Sequence, residues 1–264
     1  LEDGLVQRTP QGWKHFGTPQ ISTPAPRQLV VFGGALYVRH GGGQVDRFDG
    51  KTWVRDVFRF VPRRKTLCIA AGAGRIYLGQ WGGWSEWDGR TWTHYFDVES
   101  LRGVPLMSLL PEGDNLWVGT QSKGVARLSQ ATTNSVGPKP EKPQLTIQWQ
   151  DERNGIPDEW ITCLAQSGGA VYAGTFVGGL ARFAPSKWLT FVALNGKNVT
   201  ALEPHGKDGV WIATRDGVWH QRGNEPPAAL VATPLDSEVQ ALYLAGNHLW
   251  VGTRTGLYRV ALAK

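Results

Sequence analysis

Alternation of apolar and polar residues recurs along this chain in short runs, each ending in a small residue and a polar turn. Leu116-Trp117-Val118-Gly119-Thr120 is followed by Gly124-Val125-Ala126-Arg127. Val171-Tyr172-Ala173-Gly174-Thr175 is followed by Gly179-Leu180-Ala181-Arg182-Phe183, and Val210-Trp211-Ile212-Ala213-Thr214 by Gly217-Val218-Trp219. The last copy, Leu249-Trp250-Val251-Gly252-Thr253, precedes Gly256-Leu257-Tyr258-Arg259. Weaker copies lie at Leu36-Tyr37-Val38 and Ile76-Tyr77-Leu78-Gly79. The aromatic residue of each copy stands at 37, 77, 117, 172, 211 and 250, giving spacings of 40, 40, 55, 39 and 39. Successive residues of a strand face opposite sides of its sheet, so each copy builds a sheet that is apolar on both faces. Such a sheet must be packed between two others. A strand-rich period near 40 therefore predicts an all-β fold, a β-propeller of four-stranded blades.

Each unit reads as four antiparallel strands with the Trp-containing segment outermost. The six blades fall near 27–58, 65–97, 105–150, 159–194, 198–234 and 238–264. Phe48-Asp49-Gly50-Lys51-Thr52-Trp53 and Trp87-Asp88-Gly89-Arg90-Thr91-Trp92 are nearly identical, and their Asp-Gly pairs predict two-residue hairpin loops. Glycine supplies 34 of 264 residues, about 13% against an ordinary ~7%. No window has the period and caps of an amphipathic helix, so almost no helix is expected.

The N-terminus carries half a unit. Gly4-Leu5-Val6-Gln7 matches a third strand and Trp13-Lys14-His15-Phe16 a fourth, each 40 residues before its counterpart in the first blade. The simplest closure gives six blades, the last completed by the strand near Trp13–Phe16. The third-strand pattern, however, occurs at both ends, and seven blades with an incomplete N-terminal one is the alternative. Residue 1 is not Met and falls where a preceding Trp strand would end, so residues are expected to have been lost upstream. One domain spanning 1–264 accommodates the whole repeat, with a polar, Pro-rich insertion at 129–145 inside blade 3 accounting for the 55-residue spacing.

Net charge is +6, from 28 basic and 22 acidic residues, without long runs. An anionic partner is compatible with this balance, but nucleic-acid binding is not expected because the basic residues do not cluster. No stretch of 18 apolar residues exists to span a membrane. Cys68 and Cys163 occupy equivalent inner-strand positions in non-neighbouring blades, where the other copies have Ser108, Ala201 and Ala241. Two buried free thiols are expected, with no disulfide and no metal.

With the Asn-x-Leu-Trp-Val-Gly-Thr-x-x-Gly-Leu-x-Arg core in view, best at 115–127 and 247–259, the chain resembles the bacterial two-component regulator propeller repeat. That resemblance implies an extracytoplasmic bacterial sensor or interaction domain, periplasmic, surface or secreted. Members of the family often detect glycan fragments; others are stand-alone propellers. The chain departs from the sensor pattern in showing no membrane span, no kinase signature and no following immunoglobulin-like domain.

Catalytic signatures are missing from the sequence. The six histidines form no metal-ligand spacing, and neither a Gly-x-Ser-x-Gly elbow nor a Walker loop is present. Gly41-Gly42-Gly43 and Gly82-Gly83 have no helix following and read as tight turns. No cofactor and no catalytic residue is expected. Recognition is expected instead on one face, from the loops between second and third strands: Arg39, His40, Gln80, Trp81, Gln121, Lys123, Phe176, Arg215, Asp216 and Arg254. The connections between blades add Arg63 and Trp160, with Arg59, Arg64, Arg102 and Glu159 beside them. Aromatic faces contact a sugar ring and guanidinium groups pair with carboxylates. A glycan, peptide or protein ligand follows. The alternatives are a structural subunit of a surface or secreted assembly, and a propeller lyase or hydrolase for which His40 with Asp216 is the one nameable pair.

Overall fold

The computed structural model describes residues 4–61, 65–130, 145–184, 186–207, 209–230 and 238–262. The chain is an all-β propeller, and it divides into two compact units, Leu1–Pro111 and Glu112–Lys264. In the first unit, β1 (Leu5–Thr9) and β2 (Gly12–Phe16) form a two-stranded hairpin. The first blade is β3 (Pro26–Phe32), β4 (Ala35–His40), β5 (Val45–Phe48) and β6 (Trp53–Val54). The second is β7 (Cys68–Gly72), β8 (Arg75–Gln80), β9 (Gly83–Trp87) and β10 (Trp92–Tyr95).

The third blade consists of β11 (Leu106–Glu112), at whose end the two units divide, β12 (Asn115–Thr120), β13 (Val125–Gln130) and β14 (Leu145–Gln150). The fourth holds β15 (Ile161–Ser167), β16 (Ala170–Thr175), β17 (Leu180–Phe183) and β18 (Trp188–Thr190). The fifth holds β19 (Val199–Pro204), β20 (Gly209–Thr214), β21 (Gly217–Arg222) and β22 (Ala228–Ala229). The sixth has three strands among the described residues: β23 (Val239–Ala245), β24 (His248–Thr253) and β25 (Leu257–Ala261). All strand pairs are antiparallel in chain order. Helix among the described residues amounts to three short 3-10 turns, at Glu99–Leu101, Glu152–Asn154 and Val192–Leu194.

The repeat aromatics Tyr37, Tyr77, Trp117, Tyr172, Trp211 and Trp250 all lie on second strands, as the period requires. Neighbouring sheets within a unit bury their facing apolar sides against each other. Val45 and Tyr37 of the first blade share a core with Ile69, Ile76 and Leu78 of the second. Tyr172 and Leu180 of the fourth pack with Val199, Val210 and Ile212 of the fifth, whose Trp211 and Ala213 pack in turn with Val239, Leu249 and Val251 of the sixth.

The glycine after the second-strand motif has a definite partner. Gly174 faces Cys163 across the β15–β16 pair, and a Cβ built on it would lie 2.6 Å from the Cys163 sulfur and 2.5 Å from Val199 Cγ1. Gly79 faces Cys68 in the same way. Both thiols are free, and burial pushes each up to about 12. Cys68 is fully buried and Cys163 partly exposed as a residue.

Two expectations are corrected. The Asp-Gly turns are four-residue loops, because Phe48 pairs with Trp53 and Trp87 with Trp92. The Asp49 carboxylate accepts hydrogen bonds from the Lys51 and Thr52 backbone N–H at 2.9 and 2.8 Å, so only Gly50 needs a positive φ, of 96°. The side chain supplies the turn's acceptor, and a two-residue loop is unnecessary. Among the described residues the strand from Trp13 to Phe16 pairs, as part of β2, with β1, in register from Leu5–Phe16 to Thr9–Gly12, and the last sheet holds β23 to β25. A short local turn closes that hairpin at far lower entropic cost than a chain-spanning loop. Its Phe16 is buried against Phe48, Ile21, Leu5 and Trp53. The Pro-rich insertion lies mainly outside the described residues, entering after Gln130 and leaving before Leu145.

Candidate ligand-binding surface

Within each blade the loop after the second strand and the connection leading into the first strand lie at the same end of the sheet. The threonine that closes the second-strand motif shapes that loop. Thr120 and Thr175 donate through Oγ1 to the carbonyls of Gly124 and Gly179, each at 2.9 Å, and Thr214 and Thr253 do the same to Gly217 and Gly256 at 3.1 Å. Thr120 also accepts from Lys123 N–H, so the loop is held by its own sheet. Side chains between the threonine and the glycine are left to point elsewhere.

In the second unit, Trp160 precedes β15 and Phe176 follows β16. Phe176 N–H donates to the Trp160 carbonyl at 3.0 Å, and the two rings stack with centroids 4.2 Å apart and planes 14° from parallel. Asp158 fixes both segments by accepting from Trp160 N–H at 2.9 Å and Val177 N–H at 2.8 Å. Arg215, in the two-residue β20–β21 loop, brings its guanidinium 5.9 Å from the Phe176 ring and pairs with Glu238 at 3.0 Å. Its neighbour Asp216 meets Lys197 at 2.5 Å, and that ammonium lies 5.4 Å from the Trp219 ring. Trp160, Phe176 and Arg215 thus form one aromatic and cationic strip.

A second cluster occupies the third blade and its outgoing connection. Lys123 sits 5.8 Å from the Trp149 ring, beside Asp151, Arg153 and Glu159, around a cavity of about 340 Å3. Arg153 donates to Asp151 and holds its carboxyl below the usual range. Gln121 is half-buried next to it, and Arg254 is exposed in the β24–β25 loop with its N–H 3.3 Å from the Glu238 carbonyl.

The first unit treats its sequence-predicted residues differently. His40 and Gln80 occupy the threonine position of the motif and are 0% and 1% exposed, so they are core groups. His40 Nε2 lies 2.9 Å from Asp46 Oδ2. Asp46 also accepts from the N–H of Ser22 at 2.6 Å, the Ser22 hydroxyl and the N–H of Asp56 at 2.9 Å. Gln80 accepts from the Ser85 hydroxyl at 3.1 Å. Arg39 takes the glycine position on β4 and donates to Gln28, its cross-strand partner, at 2.9 Å. Burial lowers the Arg39 pKa from its ordinary value. Trp81 remains half exposed, in a backbone bridge with Pro105. Arg63 lies outside the described residues.

The His40 and Asp216 proposed as an acid–base pair are each engaged elsewhere, with Asp46 and Lys197. Sequence reasoning missed the His40–Asp46–Ser22 cluster, although aligning the repeats shows Arg39-His40 standing where Gly-Thr stands in the third, fourth and sixth copies. It also missed the contact of His205 Nδ1 with His220 Nε2 at 2.9 Å, the latter stacked on Trp211 with centroids 4.0 Å apart. Among the described residues no group of three or more His, Cys, Asp or Glu gathers to hold a metal ion. Nor is any described helix long and apolar enough to cross a membrane.

No protein-family model matches the sequence, and no curated protein matches it. Solved structures do. The extracellular domain assigned to the hybrid two-component system BT4673 of B. thetaiotaomicron superposes with a TM-score of 0.68 at 18% identity, over 89% of this chain and 31% of that one. Virginiamycin B lyase from Staphylococcus aureus, an inactive H270A form with quinupristin, gives 0.73 at 12% identity over 98% and 87%. YCF48 bound to D1 peptide gives 0.65 at 12% identity over 97% and 83%. At these identities the likeness is one of fold. It agrees with the two-component regulator propeller resemblance of the repeats, and the chain spans under a third of the length of the BT4673 domain.

Proposed function

We propose that the chain is a non-catalytic recognition module of an extracytoplasmic bacterial sensor or interaction assembly, and that the loop end of its second unit contacts the ligand. The observation that carries this reading is the strip formed by Trp160, Phe176 and Arg215, three residues from different segments held together by backbone hydrogen bonds, ring stacking and a cation over a ring. Stacked aromatics present a hydrophobic edge, and the guanidinium has donors left over for a carboxylate or hydroxyl. Glu238 and Asp216 balance the adjacent cations, which suits a ligand of mixed polarity such as an oligosaccharide rather than a polyanion. The Lys123–Trp149 cavity extends the same end of the unit.

A glycan array followed by calorimetry tests this. Trp160→Ala, Phe176→Ala and Arg215→Ala are each expected to weaken the strongest hit at least about tenfold, the range of an interface anchor. Binding that survives all three changes overturns the siting. A second reading, a lyase, draws on the likeness to virginiamycin B lyase over nearly the whole chain. Turnover of quinupristin by the wild-type chain would establish it in place of the first.

A further inference from the structure

The first unit carries a groove that belongs to none of the loops above. It runs between the N-terminal hairpin and the first blade, bounded by β2, the segment after it and the outer strand β6, and has a volume of about 840 Å3. Lys14, Lys51, Arg55 and Arg59 line it, all of them exposed, against a single carboxylate, Asp56. No ion pair among the described residues engages any of the four cations. Lys14 lies 4.9 Å from the Phe16 ring and Arg59 4.8 Å from the Phe60 ring. The floor is apolar, from Phe16, Pro19, Trp53 and Val54.

The Trp53 ring stacks on Phe48 with centroids 4.7 Å apart and meets Phe16 at 5.4 Å. Its ring is therefore committed to the core and is no platform for a sugar. The groove also follows β6, the edge strand of its sheet, whose outer side is open to main-chain pairing.

We propose that this groove binds an extended acidic peptide segment in which carboxylates flank an apolar side chain. The carboxylates pair with Arg55, Arg59, Lys14 and Lys51. The apolar side chain sits over Val54 and Pro19.

A fluorescein-labelled Glu-Glu-Leu-Glu-Leu-Glu-Glu peptide, read by anisotropy against the whole chain, tests the proposal, with the Lys-for-Glu peptide as counterpart. The acidic peptide is expected to bind and the basic one not to. Affinity should fall as salt rises, since exposed charges are screened within about 8 Å at physiological ionic strength. Arg55→Ala with Arg59→Ala should weaken binding at least about tenfold, in the range of one charge-assisted hydrogen bond. Arg90→Ala, an exposed change in the second blade, should leave it unaltered. Thermal melts establish that each variant is folded. Equal affinity for both peptides, or for wild type and the double variant, overturns the site. Displacement by an oligogalacturonate of equal charge as readily as by unlabelled peptide overturns the peptide assignment.

Discussion

Removing the Asp46 carboxylate tests the buried cluster of the first blade most directly. The group is 0% exposed and accepts four hydrogen bonds: from His40, from the Ser22 hydroxyl and backbone, and from Asp56 N–H. A hydrogen bond to an ionised group contributes about 1.5–3 kcal/mol. Four such bonds to one carboxylate are not additive, and the cost of leaving their donors unpaired, about 1–3 kcal/mol for each buried group, gives the better scale. Asp46→Ala should thus lower the stability of the first unit by about 3–5 kcal/mol in urea unfolding followed by tryptophan fluorescence at pH 7. Asp46→Asn, isosteric but able to offer only one acceptor, should fall between wild type and Asp46→Ala.

The pH dependence has a definite sign. Burial alone would raise the carboxyl, but the bonds from His40, Ser22 and Asp56 outweigh it and hold Asp46 below its ordinary 3.8. A carboxylate depressed in the folded state contributes stability that is complete above the unfolded value and lost as pH falls through the folded one. The gap between wild type and Asp46→Asn should therefore be full at pH 7 and close below about pH 4. A destabilisation under about 1 kcal/mol for Asp46→Ala, or a gap unchanged down to pH 3, would refute the account of this cluster.

Other consequences are quickly checked. Gly174→Ala drives a methyl against Cys163 and Val199, and should cost about 1–3 kcal/mol by overpacking, with Cys163→Ala in the same chain recovering part of it in a double-mutant cycle. Both thiols, pushed up to about 12 by burial, should react negligibly with Ellman's reagent at pH 8 in the native protein and fully in urea. Leu180 and Leu257 hold the same place in their repeats but are 0% and 53% exposed. Leu180→Ala should cost about 2–5 kcal/mol and Leu257→Ala under about 1, measured by chemical denaturation.

The frame of the fold was legible because its cause is local and repeated. Trp117, Tyr172 and Trp250 announce second strands by spacing alone, and the small residues opposite the motif glycines are small because the two backbones approach there. What escaped the sequence was departure from the repeat. Arg39 and His40 read as loop residues, yet they take core positions and make a cross-strand bond and a buried hydrogen bond to Asp46 instead of a close glycine approach. The strands of the β1–β2 hairpin were legible at 4–7 and 13–16, but not the sheet they belong to, because the third-strand pattern occurs at both ends of the chain and only pairing decides. For the site, Trp160, Phe176 and Arg215 were each named from their places in loops and connections. Their stacking was not, since it depends on how Asp158 fixes two segments 19 residues apart. The groove beside β6 lay beyond the reading altogether, its cations scattered from Lys14 to Arg59 among residues taken for turns and outer strands.

The hydroxyl that fastens each turn to its own sheet has an evolutionary reach. Because Thr120, Thr175, Thr214 and Thr253 anchor the residues that follow them without help from neighbouring sheets, the two or three positions in between can be rewritten freely while the scaffold stays put. Novel specificities are then accessible by point changes at 121–123, 176–177, 215–216 and 254–255, much as a rigid keyboard accepts new keycaps, and a library randomised at those sites alone should yield folded binders.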